Sequence, residues 1–398
     1  MHSRPLGVHP DYPFLAHASL PARLKSPVID QELPICPDAI KRSAYWDAIE
    51  SKATMRMLCA ETGLFQQPLW LALPWMHSSD PFSATLTEIQ GKSQLTFPKQ
   101  RGVLPERITA DLIRDLFFDP KHADQDISFY IKPTLVAGGG KFVAKVTLNF
   151  QSQAVRMSSH SYELADKLED DFPGSLQQVM DGKTLEIQLH PTNNREQFEV
   201  SLEKMLNYIP TPIIETLIPY ASTSHYQRGE MRIIFHDLDS SGGLVCSGNY
   251  MKVSASEVTA NISNQGSGAH TFETLREMIA HHQPEIPADV CEIHTQQAFI
   301  TALQNAHDLV QHVRQRLIAT VQAVPDQYKP YLYQKQLPRW CVDLAPSVSE
   351  SGEIHWYLVE MQRFFAYTGL KQVNLDAYRA CERADEIIFE LPPIHCST

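Results

Sequence analysis

The tightest constraint on folding lies near the C-terminus, where two short apolar runs each carry an acid. CVDLAP (341–346) and WYLVEMQ (356–362) flank the turn SVSESGEIH. Apolar runs of this length, bounded by Ser/Gly-rich turns, predict buried strands, and a buried carboxylate needs a partner. Asp343 lies inside the first run, and Glu360 follows Trp356, Tyr357, Leu358 and Val359 in the second. Glu360 and Gln362 are two apart, so a strand turns both to one side. Oxygen ligands on neighbouring strands suit Mg²⁺, which takes one or two carboxylates and completes its shell with phosphate oxygens and water. A surface hairpin with solvated acids is the plainer reading of this segment alone.

Two upstream blocks add to it. SFYIKPTLVAGGGKFVAKVTL (128–148) predicts strand, glycine turn, strand, with Phe129 and Ile131 alternating against Tyr130 and Lys132. Gly138, Gly139 and Gly140 permit close backbone approach, and successive N–H groups there can cradle phosphate. Lys132 and Lys141 could each supply a phosphate-facing ammonium. The run is neither a GxxxxGK[ST] loop nor a GxGxxG helix opening, so it is not a Walker or Rossmann signature. Farther on, Ile213, Ile214, Leu217 and Ile218 form an apolar segment carrying Glu215. GEMRIIF then places Glu230 and Arg232 on one face of a strand, where the plain alternative is an ion pair. A Gly/Ser turn over 237–243 leads to a return strand bearing Lys252, and Asn261 lies in the Asn/Gly-rich loop TANISNQGSG.

These features, in this order, resemble the ATP-grasp superfamily, above all its glutathione-synthetase-like and peptide-ligase-like branches. IKPTLVAGGGKF is similar to the family's lysine-proline strand with its glycine-rich loop, and IIETLIP to its acid-bearing adenine hinge. Glu230-Met231-Arg232 matches the acid-x-Arg strand, and Lys252 with ANISNQGSG the basic residue and Asn loop. Asp343 and Glu360-Met361-Gln362 match the closing Asp and Glu-x-Asn strands, with Gln362 standing where Asn is usual. SKATMRMLCAETGLFQQPLW (51–70) resembles the family's early helix, which makes Lys52 a second nucleotide lysine.

The resemblance implies an α+β ATP-grasp fold, with two α/β lobes whose antiparallel sheets grip the nucleotide and a reduced N-terminal domain. It implies ATP-dependent carboxylate–amine ligation through an acylphosphate, with ATP and Mg²⁺ (Mn²⁺ as the substitute) as cofactors. Lys52, Lys132, Lys141 and the three glycines then ground the phosphates. Glu215 and Leu217 sit at the adenine hinge, and Glu230 meets the ribose or orients Arg232. Arg232, Lys252 and Asn261 stabilise the acylphosphate, while Asp343, Glu360 and Gln362 hold metal. Substrates are a small-molecule carboxylate and an amine, an amino acid or peptide among them; a homodimer is compatible. A small-molecule kinase on the same fold and a nucleotide-binding pseudoenzyme are the alternatives, the latter suggested by Gln362.

Composition narrows partners rather than substrates. A net charge of −12 with no sustained basic patch argues against nucleic acid and anionic membranes. No apolar stretch is long enough to span a bilayer, and the N-terminus does not read as a signal peptide. Seven cysteines with no CxxC pair predict reduced thiols in a cytoplasmic protein. The expected organisation is an arm (1–45), an N-terminal α/β region (46–126), a lid with the glycine loop (127–210), and a core lobe (211–398) with a helical insertion at 265–325. Helices are expected at 43–63, closed by Gly63, at 105–119, after Pro191, at 271–282 and at 295–323.

Overall fold

The computed structural model describes residues 52–72, 102–103, 109–117, 126–133, 142–159, 176–180, 185–189, 194–206, 209, 212–237, 244–255, 258, 267–322, 339–349, 353–362 and 368–390. The arm at 1–45, the glycine loop at 138–140, Lys141 and Asn261 lie outside these residues.

Two sheets organise the chain. The first has eight strands in the order β2-β1-β8-β3-β4-β5-β7-β6: β1 (Trp70–Ala72), β2 (Gly102–Val103), β3 (Ile127–Pro133), β4 (Ala144–Asn149), β5 (Ala154–Ser159), β6 (Leu176–Met180), β7 (Leu185–Leu189) and β8 (Pro212–Thr216). Its neighbours run antiparallel except the β1–β2 pair. The second has five strands in the order β11-β10-β9-β12-β13, all antiparallel: β9 (Arg228–Asp237), β10 (Leu244–Ser254), β11 (Ser267–His270), β12 (Arg339–Val348) and β13 (Ile354–Gln362). Helices and largely antiparallel sheets make the fold α+β.

The first sheet is amphipathic by alternation. Phe129 and Ile131 of β3, Ala144, Val146 and Leu148 of β4, and Ile214 of β8 bury one face against α2 (Ala110–Phe117) and α3 (Arg195–Leu206). Helix α3 offers Phe198, Leu202, Met205 and Leu206, an i, i+4, i+7, i+8 stripe. Its first turn is capped by Asn194, whose Oδ1 accepts from the Glu196 and Gln197 N–H groups at 2.9 and 3.3 Å. The opposite face carries Tyr130, Lys132 and Glu215.

The second sheet is covered on both sides. Met231, Ile233 and Phe235 of β9, with Val342 and Leu344 of β12, pack beneath α1 (Lys52–Thr62), α4 (Glu273–His282) and α5 (Ala288–Gln322). Helix α5 begins at Ala288, seven residues before the expected start. Its buried Ala298, Ala302 and Ala306 let it lie close to its neighbours. On the other face, α6 (Thr368–Val373) and α7 (Leu375–Glu390) cover Ile234 and Tyr250 through Leu370 and Cys381. Lys371 lies on α6. No helix among the described residues is long and apolar enough to cross a membrane.

Helix α1 ends as its sequence predicts. Gly63 adopts φ +65°, and its N–H donates to the Cys59 carbonyl at 3.0 Å. A Cβ there meets no neighbour, so the cost of Gly63→Ala is backbone strain alone. We expect about 1 kcal/mol of destabilisation from that change, against about 2–5 kcal/mol for Ile233→Ala in the core, both read from urea denaturation midpoints.

Candidate active site

Strand register builds the site before any long side chain is considered. On β9, Arg228, Glu230 and Arg232 share one face, while Gly229, Met231 and Ile233 point to the other. Glu230 pairs across to Lys252 of β10. Arg232 lies between Tyr250 of β10 and Asp343 of β12, and Asp343 stands opposite Glu360 of β13. A single transverse row therefore reads Tyr250–Arg232–Asp343–Glu360.

A bulge keeps that row intact. Strict alternation would put Leu358 on the same face as Glu360. The register shifts between Asp343 and Leu344, inserting Val359 opposite β12, so Leu358 enters the core while Glu360 stays with Asp343. Gln362 lies beyond Met361, opposite Cys341.

Asp343 has no exposed surface. The Arg232 guanidinium donates to both its oxygens, at 2.8 and 2.7 Å, and Lys252 Nζ donates to Oδ2 at 2.8 Å. Lys252 also reaches Glu230 at 2.7 Å. Glu230 takes two bonds from Arg228, at 2.8 and 2.5 Å. Glu230 thus pairs with Arg228 and Lys252, and the partner of Arg232 is Asp343 on the next strand.

A second cluster joins the sheets. Lys132 of β3 meets Glu215 of β8 at 2.6 Å, and Arg56 of α1 meets the same carboxylate at 2.7 Å. Another Arg56 nitrogen donates to the Leu358 carbonyl of β13, so one side chain spans both sheets. Its Nη2 is buried with no hydrogen-bond partner among the described residues. Leaving such a group unmade costs about 1–3 kcal/mol. One turn earlier, Lys52 pairs with Glu360 at 3.1 Å. Arg228 makes the remaining crossing. Its guanidinium lies 4.2 Å from the Tyr220 ring centroid and 5.4 Å from that of Tyr130 on β3. It also donates to the Val258 carbonyl at 2.9 Å, ahead of the segment that carries Asn261.

These pairs assemble six cations (Lys52, Arg56, Lys132, Arg228, Arg232, Lys252) and four carboxylates (Glu215, Glu230, Asp343, Glu360), a formal surplus of two positive charges in a chain of net charge −12. Burial works to protonate Glu215, but Arg56 and Lys132 overcome it and hold its pKa at about 2. Burial likewise opposes ionisation of Glu230, and Lys252 with Arg228 outweighs it, again to about 2. Asp343 is held well below the usual range against its burial by Arg232 and Lys252. Burial lowers the Lys132 pKa, with Glu215 opposing and Arg56 and Lys52 reinforcing the shift. A set of paired charged side chains with a formal excess of cations suits a polyanion such as a nucleotide phosphate chain.

Of the sequence-derived residues, the structure brings together Lys52, Lys132, Glu215, Glu230, Arg232, Lys252, Asp343 and Glu360. Leu217 follows β8 and is half-buried, and Gln362 sits at the end of β13. Arg56 and Arg228 were not singled out from sequence, although each lies four residues from a residue that was, Lys52 or Arg232, on the same helix or strand face. Among the described residues, no three His, Cys, Asp or Glu side chains gather as a metal cluster. His281 and His282 end α4 exposed, and the His282 ring accepts the Ser222 N–H at 3.0 Å. Cys59, Cys246, Cys291, Cys341 and Cys381 are buried thiols.

No protein-family model and no curated protein matches the chain. One similar solved structure is a RiPP-associated ATP-grasp ligase from Chryseobacterium gregarium, in complex with ADP and a leader and core peptide. The match covers 60% of this chain and 55% of that one, at 12% identity and a TM-score of 0.21. The chain spans about half the length of that ligase, and a likeness at this level carries no argument about family or function.

Depressed carboxylates stabilise the folded state above their ordinary pKa of 4.5, and that contribution is lost as pH falls towards about 2. Stability to urea should therefore drop between about pH 4.5 and 2, with a shallower slope in Glu215→Gln. Asp343→Asn should cost about 3–5 kcal/mol at neutral pH, because it leaves Arg232 and Lys252 facing a neutral group.

Proposed function

We propose that the chain is an ATP-grasp enzyme, a carboxylate–amine ligase that forms an amide or peptide bond and releases ADP and phosphate. One observation carries the reading. Eight residues drawn from separate motifs between positions 52 and 360, each assigned from sequence to one nucleotide site, pair with one another in three neighbouring groups: Lys52 with Glu360, Lys132 with Glu215, and Glu230, Lys252, Asp343 and Arg232 in a chain. A set of solvated hairpin acids would have no reason to converge.

In this reading Lys52 and Lys132, with Lys141 and the Gly138–Gly140 backbone, bind the phosphates of ATP. Glu215 fixes the Lys132 ammonium beside the adenine-holding segment at Leu217, and Glu230 orients Lys252 towards the reacting end. Arg232, Lys252 and Asn261 bear the negative charge that builds when the substrate carboxylate accepts the γ-phosphoryl group. They bear it again when the amine attacks the acylphosphate and phosphate leaves. The donor chemistry at Asp343, Glu360 and Gln362 fits Mg²⁺ or Mn²⁺, because all three offer oxygen and two carboxylates suffice beside phosphate oxygens. Such an ion, when bound, neutralises charge on the phosphoryl group being transferred.

The substrates in this reading are a small-molecule carboxylate and an amine, an amino acid or peptide among them. A cytoplasmic setting accords with the buried thiols. The pseudoenzyme reading draws support from Gln362 in place of the usual Asn and from Asp343, which is already occupied by two cations.

ADP and phosphate release from MgATP with pooled amino acids and dicarboxylates tests both. Release that needs an acid and an amine, and falls more than a hundredfold in Lys132→Ala and Glu360→Ala, is expected. ADP formed without free phosphate would assign a kinase instead. Nucleotide binding with no turnover on any acceptor would assign the pseudoenzyme.

A further inference from the structure

Glu215 serves two cations at once. Its Oε1 receives Arg56 Nε at 2.7 Å, and its Oε2 lies 2.6 Å from Lys132 Nζ. The carboxylate has one negative charge to offer, so neither cation is neutralised alone. Arg56 has no exposed surface and makes no other charged contact among the ion pairs described, yet it keeps a buried Nη2 with no hydrogen-bond partner among the described residues. A residue serving packing alone would fill this space without an orphaned donor and without placing a second positive charge beside a buried lysine.

We infer that Arg56 is a positioning residue for the anion site: by sharing Glu215 and anchoring on the Leu358 carbonyl, it prevents Lys132 from closing a private ion pair and leaves its ammonium available to a ligand's phosphate. The inference deepens the nucleotide reading and rests on it for the identity of the ligand. The groups that act on Lys132 are Glu215 from β8 and Arg56 and Lys52 from α1. Removing the guanidinium charge leaves Glu215 to Lys132 alone. The lysine then holds its proton more tightly and gives up less of its charge to an incoming anion. Keeping the charge, as in Arg56→Lys, should preserve its titration.

The test reads Lys132 directly, with no ligand present. The side-chain carbon resonance of Lys132, assigned by its loss in Lys132→Arg, is titrated in wild type, Arg56→Gln, Arg56→Met and Arg56→Lys. We expect the midpoint to rise by about one pH unit or more in the neutral variants and to stay near wild type in Arg56→Lys. In parallel, calorimetry with MgATP should show about tenfold weaker binding in the neutral variants, the scale of one charge-assisted contact. An unmoved Lys132 midpoint in a folded neutral variant overturns the inference. So does unfolding of both neutral variants, which would make Arg56 a stability residue. Wild-type protein that binds no MgATP would sink the nucleotide reading instead, and the Lys132 titration would still decide the role of Arg56.

Discussion

Asp343 is a carboxylate on the central face of a sheet with no exposed surface, and much of the second half of the chain is arranged to satisfy it. Arg232 comes from one neighbouring strand and binds both oxygens; Lys252 arrives from the strand beyond and adds a third bond. A buried ion pair of this kind contributes little net stability over an apolar replacement, because desolvation consumes most of the Coulomb gain. Asp343 stands on the opposite face of the sheet from Ile233, Val342 and Leu344, which point into the apolar core.

From Asp343 the charges propagate in both directions. Lys252 passes to Glu230 and Arg228, and Arg228 stacks between Tyr220 and Tyr130, the latter on the eight-stranded sheet. Glu360 passes to Lys52 on α1, where Arg56 one turn on returns to Glu215 and Lys132. Apolar contacts hold the sheets to their helices and also join the two sheets, since Trp70 and Ile213 of the first belong to the core that holds Met231 and Ile233 of the second; the charged groups add further links. Each carboxylate there is matched to at least one cation, and two cations are in excess.

Much of this was legible in the linear chain. Alternation in SFYIKP put Lys132 opposite Phe129 and Ile131, and the structure has that division. The two-residue spacing of Glu230 and Arg232 put both on one face. An acid within CVDLAP called for a partner, and Asp343 has two. Gly63 closes α1 as its position at the end of a periodic segment predicts. Arg56 and Arg228 were harder to read, because an arginine four residues from a chosen lysine or arginine carries no local mark of where its guanidinium ends. The Val359 bulge was also hidden, since WYLV reads as an unbroken apolar run and only pairing with β12 reveals the extra residue.

The sequence by itself determined which segments form the strands and helices of the site and which side of most of them a residue occupies, because those follow from periods of two and 3.6 residues, although it began α5 seven residues late. It also determined the kinds of charge available to a site. The tertiary structure alone decided who meets whom. Strand order places β8 between β1 and β3, and β12 beside β9, so partners such as Arg56 and Glu215, 159 residues apart, or Arg232 and Asp343, 111 apart, share one carboxylate's reach. Local periodicity fixes a face but contains no term for which distant strand will pair with it. That choice belongs to the packing of both sheets together.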